Sequence, residues 1–530
     1  METKNIPILA LFGILFMLCF QACKLDPNWE TDWEAPLAKT TLTPSNIIPV
    51  GEVQAAPDGK LNYVFDKNVF TLPVDSVLNI PDTSLVYSFT APLTLNVSPG
   101  AMFVVYDNYL DFNVTQANLL EAILSEGMVE LQIFSYATQP LDVKLEIPKA
   151  VKNGQAFMQL ESMSASNGSK PALLSTTNNL NGYFLDFSGD NNNLSNKLRL
   201  RITAYLPTNA QPFTVNAGTQ LVGLTFNLKG LKPHYARGKI KTQTISFTQD
   251  TLHIQALNMI QSGSLQLQDI LMNLKITNGV GVDLRVKLQE LTGINTRTGN
   301  VVALQHPIIG GVVNINRAIN QQWNNPEYIS TVQDILFQSS NSNLIDFVEN
   351  IPDKIKMKAD FIINPNGPSS GGNDFIYAQS KSEIRLRIDA PFSFGMDGLL
   401  LSDTVKADMA KLLKSDQIKE LGLTLWAENF FPLAAEAQLY FEDEWGQTLD
   451  SLLFQTKLDP AITDMNNESI SPVVSELTGS LSESALEHVR QAVRIRFKIK
   501  FQTSGQPALT HWKDNYYMHL KLKGQLKYNI

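Results

Sequence analysis

From about residue 60 onward the dominant pattern is alternation of apolar and polar residues, bounded by Gly, Pro, Asn and Asp. That period of two is the signature of strands with one buried face. It is clearest in 128–134, 141–147, 197–203, 384–388 and 493–501, where Val, Leu, Ile and Phe alternate with charged or polar residues. Helical periodicity is confined to four short stretches, 116–124, 344–350, 405–413 and 483–492. The expected fold class is mainly β, in tandem β-sandwich-like domains with a few short helices and three diverged repeats.

The repeats rest on a comparison of the chain with itself, because a missed period misassigns the fold. Three hairpin-like stretches, 127–147, 267–288 and 418–441, share one plan: a strand ends at a polar residue, turns through Gly or Pro, and returns as a longer alternating strand. Residues 342–361 and 483–501 also match, each a helical turn opening near a Ser and feeding an amphipathic strand; 193–202 is a shorter partner. The spacing of the hairpins is that of ordinary domains. It predicts β-domains over 59–236, 237–380 and 381–530, with contact loops at their junctions or at the C-terminal end around Trp512, Tyr516 and Tyr517.

The N-terminus changes the picture. Met1-Glu2-Thr3-Lys4 leads into an apolar run from Ile6 to Phe20 and then Gln21-Ala22-Cys23. These are the charged region, apolar region and small-residue cleavage site of a signal peptide, expected over 1–22. The run is too short for a spanning helix, which needs about 20 apolar residues. The chain has two cysteines, Cys19 and Cys23. The first would leave with the signal peptide, so no disulfide is expected and stability must come from apolar cores. Residues 23–58 open with acidic, proline-containing, aperiodic sequence and are expected to form a tether.

Ala22-Cys23 resembles the bacterial lipobox, in which the Cys is lipidated and becomes the mature N-terminus. Phe20 departs from the Leu of the strict pattern, a departure closer to the looser Bacteroidetes form. Lys24 followed by acidic residues resembles that phylum's surface-export signal, interrupted by Leu25. Together with Pro36-Leu37-Ala38-Lys39, Ala427-Glu-Asn-Phe-Phe-Pro-Leu433 and Asp443-Glu-Trp-Gly446, the chain resembles uncharacterised multi-domain Bacteroidetes outer-membrane lipoproteins. The resemblance implies lipidation at Cys23 and a lipid-anchored, surface-exposed position at the outer membrane, and carries no known activity. Asp-Ser/Thr-apolar triplets at Asp75, Asp250, Asp403 and Asp450 are similar to that phylum's O-glycosylation acceptor.

Chemistry is sparse. Net charge is −9 with 18% charged residues and no basic run to track phosphates, which argues against nucleic acid. The six histidines form no metal-binding spacing, and there is no nucleophile elbow or phosphate loop. The Asp190-Asn191-Asn192-Asn193 stretch lacks the spacing of a calcium loop. Glu428, Glu442, Asp443 and Glu444 near Trp426 and Trp445 could in principle supply a carboxylate pair, but an acidic turn has the same letters. No catalytic, cofactor or metal residue is assigned, no cofactor is expected, and the protein is read as non-enzymatic. The leading expectation is a membrane-anchored envelope protein that binds other envelope proteins. The alternatives are glycan capture beside a nutrient-uptake system, with Trp323, Trp426, Trp445 and Trp512 as stacking platforms, or carriage of an apolar ligand.

Overall fold

The computed structural model describes residues 33–46, 53–254, 265–266, 270–322, 324–391, 393–414, 418–502 and 510–528. Three strands open it: β1 (Trp33–Leu42), β2 (Leu61–Thr71) and β3 (Thr83–Thr90). They belong to three different units.

The first unit takes β3 and continues with β4 (Met102–Asp111), β5 (Ala117–Ser135), β6 (Leu141–Lys152), β7 (Gln155–Met163), β8 (Ala172–Asn179), β9 (Lys197–Tyr205) and β10 (Gln220–Ile240). Hydrogen bonding orders them β3-β10-β5-β8 and β4-β9-β6-β7, all antiparallel. A short strand, Phe184–Asp186, bridges β5 and β6 and joins the two sheets into one nearly closed sheet.

The second unit takes β2 and adds β11 (Gln243–His253), β12 (Leu271–Asn278), β13 (Leu284–Ile294), β14 (Val312–Ile315), β15 (Thr331–Phe337), β16 (Lys354–Ile363), β17 (Asp374–Tyr377) and β18 (Glu383–Pro391). Its sheets read β2-β18-β12-β15 and β11-β16-β13-β14. The third unit takes β1 and adds β19 (Ser393–Lys406), β20 (Ile418–Asn429), β21 (Ala434–Glu442), β22 (Thr448–Leu453), β23 (Val473–Leu481), β24 (Arg494–Gln502) and β25 (Met518–Tyr528). Its sheets read β1-β25-β20-β23 and β19-β24-β21-β22.

The strand order is therefore the same three times over, with partners drawn from the same place in each unit. The opening strand pairs with the closing one, and the two strands that flank the central turn occupy matching positions. The short helices recur too: α1 (Leu344–Glu349) precedes β16 and α2 (Glu483–Val489) precedes β24.

Two sequence expectations are corrected. The stretches at 127–147, 267–288 and 418–441 are not hairpins, because their two arms lie in opposite sheets: β5 and β6, β12 and β13, β20 and β21 do not pair with each other. Alternation of buried residues is identical for a hairpin and for an arch that crosses the core, so the pattern cannot separate them. The units are also not consecutive segments. β1, inside the expected tether, pairs with β25, and β2, inside the expected first domain, pairs with β18. The N-terminal segment laces the third unit, then the second, before the first begins.

The helix expected at 116–124 is the start of β5, and the one at 405–413 shrinks to a turn at Met409–Leu412. In the first case Leu119, Ala122 and Leu124 are buried along a strand that pairs with β10, so sheet packing overrides local helix propensity.

Each core is built from the inward rows. On β24, Ile495, Phe497, Ile499 and Phe501 are fully buried while Arg494, Arg496, Lys498 and Lys500 face outward. Full burial of each such apolar side chain contributes about 1.5–3 kcal/mol. Trp512 fills the third core against Phe431 and Phe501, with ring centroids 4.9 and 5.7 Å away.

The second unit touches both others. The Leu61 amide donates to the Trp512 carbonyl, and Lys60 and Lys513 both pair with Glu468. Gly59 turns the chain there at φ +80°, where a Cβ would meet the Asp514 carboxylate at 3.2 Å.

Candidate functional site: the cleft between the first and second units

The other junction forms the more developed site. The far half of β10, Tyr235–Gly238, stays paired with β5 on one side and, beyond the reach of β3, pairs with β17 on the other. This aligns Tyr235 with Tyr377 and Arg237 with Phe375. Asp374, at the start of β17, is fully buried, and its carboxylate accepts from the Ile240 amide (2.9 Å) and from the Arg317 guanidinium (2.7 Å). Asn364, in the left-handed region at φ 50°, donates to the Ile240 carbonyl at 2.6 Å. The two bonds to Ile240 cross the unit boundary, and all three satisfy groups whose burial would otherwise cost about 1–3 kcal/mol each.

Above them opens a cleft of about 710 Å³ lined by Glu121, Tyr235, Arg237, Arg317, Asn320 and Tyr377, among others. Arg237 forks onto Glu121 (2.6 and 2.8 Å) and donates to the Gly372 carbonyl. The Glu121 carboxylate holds the Arg237 guanidinium above its ordinary value. Tyr377 donates to Asn320 at 2.9 Å and stacks on Tyr328, with centroids 5.7 Å apart. Burial pushes the Tyr377 phenol up to about 12, helped by Tyr235 and Glu327, and burial raises Tyr235 and Tyr328 as well. Behind Tyr328 lies a second hollow of about 750 Å³, where His234 meets Glu327 at 2.8 Å. The arrangement offers hydrogen-bonding groups in planar pairs beside aromatic rings, suited to a neutral polar ligand. Most of those groups are already hydrogen-bonded to a neighbour within their own unit, and Arg237 reaches across to the Gly372 carbonyl.

The third unit presents a shallower hollow of about 500 Å³ on the outer face of β1-β25-β20, lined by Lys39, Thr41, Trp426, Glu428, His519 and Lys521. The Lys521 ammonium lies 4.3 Å from the Trp426 ring centre, and Glu428 accepts from the Tyr517 hydroxyl at 2.9 Å.

The residues singled out in the sequence scatter. Cys23 and Trp323 lie outside the described residues. Trp512 and Tyr516 are core residues, contrary to the expectation of contact loops there, whereas Trp445 is 81% exposed. Glu428 and Glu442 stand on opposite sheets, and Glu442 is engaged by Arg496 at 2.6 Å. Asp443 caps its own turn by accepting from the Trp445 and Gln447 amides, and Asp190 pairs with Arg199. Among the described residues no group of His, Cys, Asp and Glu could hold a metal ion, and no helix is long and apolar enough to cross a membrane. Sequence reasoning missed Arg237, Arg317 and Asp374, which leave no local motif and meet only through strand pairing.

No protein-family model and no curated protein matches the chain. Among solved structures, it is similar to a protein assigned as secreted from Parabacteroides distasonis, at 10% identity and TM-score 0.27, covering 93% of this chain and 99% of that one. A cowpea mosaic virus particle protein aligns at 9% identity and TM-score 0.16, covering 61% of this chain and 91% of that one. Scores this low carry no inference about function.

Proposed function

We propose that the protein is a non-enzymatic scaffold or binding protein of the bacterial cell envelope, held to the outer membrane by lipid on Cys23. The observation that carries the reading is the lacing of three like-built β units by the N-terminal segment. β1 begins ten residues after Cys23, so the anchored end feeds the third unit, and the first unit is the last one reached from the anchor. Rigid units of this kind supply surfaces for partners, and their loops and faces are where binding resides.

The test is fractionation. Two or three acyl chains hold a protein firmly to a membrane, whereas one holds it marginally. Cys23→Ser is expected to leave the membrane fraction after a high-salt wash; a variant that stays there overturns the anchor.

A glycan-binding role is the second reading, favoured by the hollow around Trp426, Glu428, His519 and Lys521. Loss of glycan retention on Trp426→Ala, with the melting temperature kept, would support it.

A further inference from the structure

The outer face of the sheet β19-β24-β21-β22 is strongly basic in a chain of net charge −9. The pleat sends Arg494, Arg496, Lys498 and Lys500 to one side, since the residues between them are fully buried. Strand register sets the exposed Lys406 beside Arg494, and Lys457 lies at the other end, near Glu436. Tyr440 sits in the middle of the face, with the Arg496 guanidinium 4.5 Å and the Lys498 ammonium 5.4 Å from its ring centre. Among the described side chains the carboxylates on the face are Glu436 and Glu442, and the second is consumed by Arg496. At the edge of the face, Arg494 donates to the Asp443 and Glu444 carbonyls of the β21–β22 turn, which carries the exposed Trp445. Glu444 is the acidic neighbour of Trp445 on that turn.

The corresponding strand of the first unit is basic as well, but differently matched. On β9, Arg199 and Arg201 share Asp107, Arg199 also pairs with Asp190, and Lys197 pairs with Asp111. There the acidic partners cancel the row. On β24 cations outnumber the carboxylates, and this is the unit laced by β1.

We propose that this face docks on anionic phospholipid headgroups of the membrane to which the chain is tethered. The proposal rests on the anchor reading for its geometry. Ten residues span at most about 35 Å when extended, so lipid on Cys23 keeps the third unit within reach of the bilayer. Polybasic surfaces are drawn to anionic lipid and supply the second signal that a lipid chain needs for firm attachment. Tryptophan favours the bilayer interface, where its ring is half in apolar surroundings and its N–H stays wet. A basic face edged by a protruding tryptophan fits a headgroup layer better than it fits a groove-bound polymer.

The experiment uses the mature full-length chain as Cys23→Ala, without lipid, so that the face is read apart from the anchor. Co-sedimentation is measured with vesicles of phosphatidylcholine containing phosphatidylglycerol and with vesicles of phosphatidylcholine alone. Binding is expected to the first and not the second, and to fade as salt is raised. Lys498→Glu/Lys500→Glu is expected to weaken it at least about tenfold at unchanged melting temperature, since each basic residue near an anionic surface contributes severalfold. Trp445→Ala, which removes a side chain that is exposed on its turn, is expected to weaken it less. Lys232→Glu on the first unit should leave it unchanged. Absence of binding to the anionic vesicles, binding insensitive to the double variant, or retention by an anionic polysaccharide but not by the vesicles would each overturn the proposal. Failure of the anchor reading appears separately, as a Cys23 chain that carries no acyl group.

Discussion

Asn278 and Asn429 end the strands that lead into two of the crossing arches, and both are fully buried. Each side chain accepts from the amide two residues on, Val280 or Phe431, and donates to the carbonyl four residues on, Val282 or Leu433. Each also donates to a more distant carbonyl, Asn316 or Asp459. The first unit uses Ser135 in the same place, accepting from the Ala137 amide. One polar side chain thus satisfies the backbone where the chain quits one sheet for the other. Asn278→Ala or Asn429→Ala strands a buried amide and two carbonyls, and is expected to destabilise its unit by about 2–4 kcal/mol. Thermal unfolding followed by calorimetry checks this; a loss of under about 0.5 kcal/mol at both sites would count against the role. At the cleft, the raised tyrosines make a prediction of opposite sign from a depressed carboxyl. A phenol whose folded value lies above its unfolded one stabilises below the unfolded value near 10 and loses that contribution as pH climbs through the folded value. Absorbance at 295 nm should therefore show Tyr377 ionising near 12, and Tyr235 and Tyr328 late as well, with the joint loosening in that window. Ionisation of all tyrosines near pH 10 would refute it.

At the scale of elements, the alternation along 197–203, 384–388 and 493–501 was legible because each strand has one buried face, and β9, β18 and β24 lie there. The likeness of 342–361 to 483–501 was legible too, since α1 with β16 and α2 with β24 hold the same place in their units. Partnership was not. Trp33–Leu42 pairs with a strand almost at the other end of the chain, and local sequence carries no mark of so distant a neighbour. For the same reason the cleft could not be foreseen: Arg237 and Asp374 are ordinary letters until β10 meets β17. The lacing gives an element-level prediction. A chain shortened to begin after Asn46 leaves β25 with an unpaired edge and opens the third core beside Leu42. Its third unit should become sensitive to protease while fragments of the first unit persist; a uniform pattern of cleavage, or none, would contradict the lacing.

At the scale of the whole molecule, the joint of the second and third units carries a polar contact that responds to acid. The Lys513 ammonium, aided by Lys60, holds the Glu468 carboxyl below its ordinary value at the joint of the second and third units. A depressed carboxyl contributes stability above its unfolded value near 4.5, which is lost as pH falls through the lower folded value. Because the group is partly exposed, the contribution is modest, within about 1 kcal/mol. Glu468→Gln should lower stability at neutral pH by up to that amount, leave strongly acidic pH little changed, and so flatten the acid limb of the stability curve. The central claim is that the first described strand completes the last unit. Lys39 and Lys521 are register partners on β1 and β25, their side chains outward, and directly opposed positions hold Cβ atoms about 4.5–5.5 Å apart. The most direct measurement is oxidation of Lys39→Cys/Lys521→Cys in a Cys19→Ser/Cys23→Ser background, so that the introduced thiols are the only two. The account predicts one rapid intramolecular disulfide, with protease fragments from the two ends of the chain migrating together until reduced. Two thiols that stay free under oxidant, in a protein that is otherwise folded, would contradict it.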